Sequence, residues 1–477
     1  MFKQVMMIFI INIFSALLAF GQDSTDTSQS KPDLTEQVST LNGKINGIEE
    51  SYLETKATVD KLAKVKISGY LQAQIRYAPD TTGQLKSDYT NLYDIGEFQG
   101  GKLPAATQGV FQLRRARIKA AYETELTQMV VQLDCLPFTT AAGINSTTQD
   151  TSGKYTVKTK NGFYLGGGGV TVKDAYLRFA DPWLKSIAVK AGIFDRPFGY
   201  EISYSSSMRE SPERSRLFQT IFPGERDLGF SLEYLASDNL PLWAQWFNFK
   251  GGMFAGNGIN VEFDDLHDFI GRLGFSVPLT DINVSIDGGV SGYFGKVKDR
   301  VDSLYETHNN AWIGTTGHKW VDIDRRYLGG DLELFYGDIP FLGGVCLRGE
   351  YIQGQQPGTS GSNGSSKTDQ ATKEALYLRN FSGFYGMVVL NIDLLKSQLI
   401  GKYDGFDPNT GLVGNDVKSA TDLSYATIGG GLVYHWDENV KLMAYYDKVQ
   451  NETTTAKTPF DKDLNDNVFT FRIQYKF

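Results

Sequence analysis

The chain ends on the stretch Val468-Phe-Thr-Phe-Arg-Ile-Gln-Tyr-Lys-Phe477. Apolar and polar residues alternate strictly here, with Phe469, Phe471, Ile473, Tyr475 and Phe477 set against Thr470, Arg472, Gln474 and Lys476. Successive side chains of a β-strand point to opposite faces, so one face is apolar and aromatic and the other is polar. A soluble β-sandwich strand also alternates, but it rarely places an aromatic final residue on the apolar face. The stretch therefore predicts a strand of a transmembrane β-barrel.

The composition of the whole chain agrees with a barrel. Its 477 residues include 13% aromatics and 51 glycines, and the mean hydropathy is −0.28. An α-helical membrane protein would show several apolar runs of about 18 residues or more, and none follows the N-terminus. The net charge of −8 argues against nucleic acid as a main partner. Two cysteines, Cys135 and Cys346, are too few for a disulfide framework, so we expect free thiols.

The N-terminus has the features of a secretory signal peptide. Lys3 precedes an apolar region from Val5 to Phe20, and the small residue Gly21 precedes Gln22. We predict a signal peptide over residues 1–21, with an uncleaved anchor helix as the alternative. Residues 22–33 are polar and predict a linker.

A heptad pattern covers residues 34–63. Apolar or seam residues recur in steps of 4 and 3 at Leu34, Val38, Leu41, Ile45, Ile48, Tyr52, Thr55, Val59 and Leu62. The pattern predicts a periplasmic coiled-coil helix, for which the mixed seam fits a trimer as well as a dimer. A lone amphipathic helix and a flexible spacer are the alternatives. Gly43 and Gly47 each weaken a helix by about 1 kcal/mol, so the helix should depend on its partners.

Residues 65–477 show strand-like segments joined alternately by short and long connections. Seven short turns are predicted, at 123–126, 180–184, 236–241, 277–281, 337–340, 392–395 and 437–439. Eight long polar connections alternate with them, of which the third covers residues 195–227. The count predicts an all-β fold, an antiparallel barrel of about 16 strands with a water-filled lumen. The segments 243–254 and 381–390 are apolar on both faces, so alternation does not settle which side faces inward.

Cations are concentrated on one predicted strand and in the third long connection. In Phe111-Gln-Leu-Arg-Arg-Ala-Arg-Ile-Lys-Ala-Ala-Tyr122, an outward apolar face sends Arg115, Arg117 and Lys119 inward, about 6 to 7 Å apart. Further candidates for an anion pathway are Arg178 and Arg272 on strands and Arg196, Arg209, Arg214, Arg216 and Arg226 around the third connection. The alternative is a mixed-charge lumen in which wall carboxylates neutralise these cations.

These segments resemble the phosphate-selective porin O and P family. The resemblance rests on the aromatic C-terminus and on Pro197-Phe-Gly199, Glu213-Arg-Ser215, Asp227-Leu-Gly-Phe230, Arg114-Arg-Ala-Arg117 and Phe254-Ala-Gly-Asn-Gly258. It implies a trimeric outer-membrane barrel of sixteen strands whose third loop folds inward, with an arginine ladder that guides anions. Many wall carboxylates depart from a purely basic lumen.

No enzyme signature accompanies this pattern. The four histidines show no metal-ligand spacing, and no serine lies in a nucleophile elbow, so the sequence predicts neither an enzyme, nor a cofactor, nor a metal site. The sequence-based hypothesis is a homotrimeric diffusion channel in the lipid of the bacterial outer membrane, with small anions, phosphate among them, as solutes. A general porin, a barrel serving as surface adhesin or structural anchor, and an outer-membrane hydrolase are the alternatives.

Overall fold

A computed structural model describes residues 34–78, 96–101, 103, 108–135, 147–149, 155–157, 170–183, 185–234, 236, 240–260, 262, 264–340, 342–364, 374–464 and 466–477. The predicted signal peptide and linker, residues 1–21 and 22–33, lie outside these ranges. The chain divides into two units, Met1–Ala63 and Lys64–Phe477.

The described part of the first unit is one long helix, α1, over Leu34–Leu62. Its heptad seam is exposed in the single chain, since Leu41, Ile45 and Ile48 keep more than half of their surface. The predicted helix is confirmed, while its assembly into a coiled coil stays a prediction. Among the residues described, no helix combines the length and the apolar character of a membrane span.

The described residues of the second unit form twenty strands, four single-turn 3-10 helices and two short α-helices, α2 over Arg216–Ile221 and α3 over Leu242–Gln245. The strands are β1 Val65–Tyr77, β2 Gly109–Glu123, β3 Thr127–Cys135, β4 Thr147–Gln149, β5 Tyr155–Val157, β6 Val170–Ala180, β7 Ile187–Asp195, β8 Arg226–Tyr234, β9 Phe247–Phe254, β10 Asp268–Leu279, β11 Val284–Lys298, β12 Ser303–His308, β13 Ala311–Thr316, β14 Asp322–Ile339, β15 Gly343–Gly358, β16 Leu376–Ile392, β17 Ser397–Asp407, β18 Tyr425–His435, β19 Val440–Asn451 and β20 Val468–Lys476.

Sixteen of these strands form one closed antiparallel barrel, as predicted. Each pairs with its neighbour along the chain, and β20 closes the ring on β1 from the pair Tyr70 and Lys476 to the pair Tyr77 and Phe469. The hairpins β4–β5 and β12–β13 lie in the second and fifth long connections and were not predicted. The seven short turns all fall at one end of the barrel, within a few residues of their predicted positions.

The terminal strand shows the alternation that its sequence predicts. Phe469, Phe471, Ile473 and Tyr475 are 41 to 51% exposed, whereas Thr470, Arg472 and Gln474 are at most 3% exposed. The apolar face thus lies outside, toward the lipid of a membrane, and the polar face lies inside the barrel. Cys135 and Cys346 are both free thiols, as expected.

In strand β16 the structure shows which face points inward, a question that the sequence of residues 381–390 left open. Phe384 and Val388 point outward, at 39 and 40% exposure, while Tyr385, Met387 and Val389 point inward and are buried. The inward face is apolar because it packs against the third loop rather than water; the rings of Tyr385 and Phe218 lie 6.2 Å apart.

Candidate functional site

The third long connection, residues 196–225, folds into the barrel and is called loop 3 below. Its side chains Phe198, Ile202, Leu217, Phe218, Ile221 and Phe222 are almost fully buried. Phe222 packs edge-on against two inward wall tyrosines, Tyr293 at 6.0 Å and Tyr327 at 5.8 Å between ring centroids. Burying an aromatic side chain contributes about 1.5 to 3 kcal/mol, so this cluster holds loop 3 against the wall formed by β11 to β18.

Polar contacts attach loop 3 to the opposite wall, formed by β1, β19 and β20. The Gln474 amide donates to the Ser207 carbonyl at 2.9 Å, and Lys441 Nζ donates to the same carbonyl at 2.9 Å. The hydroxyls of Tyr70 and Ser206 lie 2.6 Å apart. Loop 3 therefore crosses the lumen and contacts both walls, which narrows the lumen at this level.

Glu213 is the charged centre of this attachment. Its carboxylate accepts hydrogen bonds from Arg114 Nε at 2.8 Å, Arg115 Nη2 at 2.7 Å and Arg472 Nη2 at 2.9 Å. Burial raises the pKa of Glu213, but Arg114, Arg115 and Arg472 together hold that pKa well below its usual range. The carboxylate is therefore ionised and offsets part of the cationic charge of the wall.

The wall arginines owe their position to a β-bulge. The β1–β2 register shifts so that Gln72 pairs with Arg115 and Ala73 pairs with Leu113, which leaves Arg114 as the extra residue. A bulge lets two adjacent side chains reach the same side, and strict alternation therefore missed Arg114. Arg117 faces inward as predicted and pairs with Asp134 at 2.8 Å. Lys119 is half-buried on the same strand.

Most arginines in and beside loop 3 have partners within the protein. Arg196 pairs with Asp227 at 3.0 Å, and Arg226 pairs with Asp174 at 2.9 Å. Arg214 pairs with Glu225 and donates through Nε to the Glu201 carbonyl at 2.7 Å. The Arg216 guanidinium lies over the ring of Tyr425, 3.5 Å from its centroid. Their predicted role in an anion pathway stays a prediction.

Arg209 differs from the other loop 3 arginines. It is 2% exposed, and its three guanidinium nitrogens find no hydrogen-bond partner among the residues that the structure describes. Burial, together with the charges of Arg214 and Arg115, lowers the pKa of Arg209 to about 9, against the attraction of Glu213 and Glu201.

The inner wall beside loop 3 presents a row of cations. Arg178 and Lys190 are cross-strand neighbours on β6 and β7, and Lys250 and Arg272 are cross-strand neighbours on β9 and β10. Three carboxylates lie among them: Glu233 at 2.9 Å from Arg178 and 3.8 Å from Lys190, Asp195 at 3.7 Å from Lys190, and Asp331 at 2.9 Å from Arg272. Arg178 and Arg272 were predicted. The row as a whole is more cationic than anionic.

The sequence analysis missed Lys190 and Lys250. The sequence of β9 does indicate that Lys250 faces inward. Phe247, Phe249 and Met253 point outward, and Lys250 occupies a position of the opposite face between them. Its cross-strand neighbour on β8 is Glu233, although Lys250 forms no ion pair within 4.0 Å in the part of the chain that the structure covers.

A cavity of about 190 Å³ separates loop 3 from this row. Loop 3 contributes Pro197, Gly199, Tyr200, Ser203 and Tyr204, and the wall contributes Asn248, Lys250 and Arg272. The Tyr200 and Tyr204 rings lie 5.1 Å apart and are tilted by 32°. Arg348 lies over both rings, 4.6 and 4.7 Å from their centroids. In the described ranges, no group of three or more His, Cys, Asp or Glu side chains is arranged to hold a metal ion.

Comparison with known proteins reveals similarity at the level of structure. No family model and no curated protein matches the chain. Among solved structures, the high-pH structure of Pseudomonas putida OprB is 10% identical, with a TM-score of 0.50 over 88% of this chain and 96% of that one. The outer membrane channel DcaP of Acinetobacter baumannii is 12% identical, with a TM-score of 0.47 over 87% of this chain and 97% of that one. An anion-selective porin from Comamonas acidovorans is 10% identical, with a TM-score of 0.45 over 87% and 99%. The likeness to OprB, together with the closed ring of sixteen strands, establishes that the chain has a porin-type barrel fold.

Proposed function

We propose that the chain is a passive diffusion channel of the bacterial outer membrane with a preference for small anions. One observation supports this proposal most strongly: beside loop 3 the inner wall presents the four cations Arg178, Lys190, Lys250 and Arg272 against three carboxylates. At a constriction the wall focuses the field of such charges, so a small excess of cations shifts ion partitioning severalfold.

The location follows from the two faces of the barrel. An apolar outer face and a polar inner face suit a bilayer outside and water inside. The resemblance to the phosphate-selective porins favours the outer membrane and a homotrimer, with helix α1 in the periplasm.

The choice of anion rests on the chemistry of the guanidinium group. Guanidinium forms paired hydrogen bonds with phosphate and carboxylate alike, so phosphate belongs among the candidate solutes. The alternative is a general porin, and the ion pairs Arg117–Asp134 and Arg226–Asp174 support it, because a paired cation contributes less to selectivity. A second alternative is a surface adhesin or anchor, because loop 3 crosses the lumen and contacts both walls.

Planar-bilayer recording separates these functions. The purified full chain should give stepwise conductance, and the reversal potential in a salt gradient should show preference for the anion. Lys190→Gln with Lys250→Gln should lower the anion-to-cation permeability ratio severalfold at low salt. The effect should shrink at 1 M salt, where the Debye length is about 3 Å. A silent membrane would favour the anchor, and equal permeability of both ions would favour the general porin.

A further inference from the structure

The cavity between loop 3 and the wall differs from a plain anion site, because its two sides have different chemistry. Lys250, Arg272 and Asn248 line one side, and Tyr200, Ser203 and Tyr204 line the other. We propose that this cavity binds sugar acids, hydroxylated molecules of monosaccharide size that carry one carboxylate. The inference rests on the proposed channel function and specifies a solute class for it.

The size of the cavity exceeds that of a bare inorganic anion. A volume of about 190 Å³ corresponds to about six water molecules at 30 Å³ of liquid each. It is below the range of about 300 Å³ and more that drug-sized ligands occupy. The space therefore suits a solute larger than a bare inorganic anion and smaller than a drug-sized ligand.

The wall side supplies a fixed polar contact surface and an available cation. Asp331 fixes Arg272 through Nε at 2.9 Å, and Arg272 Nη1 in turn donates to the side-chain oxygen Oδ1 of Asn248 at 3.3 Å. The Asn248 amide nitrogen is therefore directed away from that bond. Lys250 lies opposite Glu233 in the β8–β9 register but makes no ion pair within 4.0 Å among the described residues. A carboxylate next to Lys250 would form a charge-assisted hydrogen bond, about twice as strong as a neutral one.

The loop side supplies an apolar surface that is already in place. Arg348 stacks over both tyrosine rings, and the Tyr204 hydroxyl donates to Glu210 at 2.9 Å. These contacts fix the rings before any solute arrives. An aromatic surface stabilises the C–H groups of a sugar by removing them from water. Inorganic phosphate has no such groups, so this surface would cost phosphate hydration without a compensating contact.

Hydroxyl groups at the cavity match the hydroxylated body of the solute. Ser203 is exposed, so its hydroxyl is free to exchange water for a sugar hydroxyl. Hydrogen bonds of this kind contribute about 0.5 to 1.5 kcal/mol net each, which serves orientation more than affinity. A channel solute needs this weak binding, since it must leave as readily as it enters.

Current blockade of the full chain in a planar bilayer tests the proposal. Gluconate, glucose and inorganic phosphate are added separately, and the concentration that halves the current of a chloride salt is measured. Gluconate should act at a concentration about tenfold lower than glucose or phosphate, because only gluconate uses both sides of the cavity. Lys250→Gln should raise the half-blocking gluconate concentration about tenfold, and Tyr200→Val should raise it severalfold.

Arg326→Gln is the matched control, because Arg326 is 61% exposed and pairs with Asp324 away from the cavity. It removes the same charge as Lys250→Gln and should leave gluconate blockade unchanged. If Tyr200→Val does not fold, Lys250→Gln and Arg326→Gln still decide the question. Blockade by phosphate or by glucose as strong as that by gluconate overturns the sugar-acid site while the channel stands. A membrane without conductance overturns the channel itself.

Discussion

Glu213 of loop 3 lies 2.7 Å from Arg115 of the barrel wall, measured from Oε2 to Nη2. The same carboxylate also pairs with Arg114 and Arg472. Three guanidinium groups from β2 and β20 therefore share one loop carboxylate. This arrangement couples two properties that are usually separate, the charge of the lumen and the position of the loop that narrows it.

Replacing Glu213 with glutamine should change both properties. Glu213→Gln removes the charge that offsets three arginines, so we expect the anion-to-cation permeability ratio to rise severalfold at low salt. Breaking a buried pair by removing one partner costs about 3 to 5 kcal/mol, so loop 3 should detach more often and single-channel conductance should increase. Reversal potentials and conductance steps measure the two effects.

Glu125→Gln is the matched control for this variant. Glu125 is a turn carboxylate with 73% exposed side-chain surface, so its removal changes the net charge equally but outside the lumen. If Glu213→Gln behaves like Glu125→Gln in both measurements, the three-arginine cluster has no role in permeation.

The inward cations predicted on β2 allow paired and unpaired cations to be compared. Arg115→Ala with Arg117→Ala should lower the anion-to-cation permeability ratio, because both side chains face the lumen. The change per charge removed should be smaller than for Lys250→Gln, since Glu213 and Asp134 already offset the two arginines. Reversal potentials of the two variants in one low-salt gradient give the comparison. A larger effect per charge from the arginines would place the main passage at β2 instead.

Alternation revealed much of this fold because lipid outside and water inside impose opposite chemistry on the two faces of every strand. The failures have local causes. Alternation missed Arg114 because a bulge adds one residue. The phase of β16 was ambiguous because Phe218 of loop 3 replaces water on its inner face. The pairing of Glu213 with Arg472 joins residues 259 positions apart, and no local pattern reports such a contact.

Helix α1 offers a test that does not involve the barrel. A peptide over Leu34–Leu62 should form a trimeric coiled coil, and Gly43→Ala with Gly47→Ala should stabilise each helix by about 2 kcal/mol in total. Both substitutions are sterically free, since no atom lies within 4 Å of the added Cβ at either position. Circular dichroism melting curves and sedimentation equilibrium report stability and stoichiometry.

Leu41→Asp in the same peptide is the control, because it places a charge in the predicted seam and should abolish assembly. A peptide that stays monomeric and unfolded even with both alanines would contradict the coiled coil. Removing residues 23–62 from the full chain should leave the barrel able to fold.

Asp466 predicts how the stability of the barrel depends on pH. It lies in the connection before β20 and is 9% exposed, and burial raises the pKa of its carboxyl from 3.8 to about 6, against the attraction of Arg216. Since the folded pKa exceeds the unfolded one, ionising Asp466 costs more free energy in the folded barrel than in the unfolded chain. The contribution of protonated Asp466 to stability is therefore complete below about pH 4 and is lost as the pH rises through 6.

Asp466→Asn mimics the protonated acid, so it should raise the free energy of unfolding by about 1 to 3 kcal/mol at pH 8 and by little at pH 4. Urea titrations followed by tryptophan fluorescence measure this, with Asp461→Asn at an exposed position of the same connection as control. An equal gain at both pH values would show that Asp466 is already neutral in the folded barrel or destabilises it by something other than its charge.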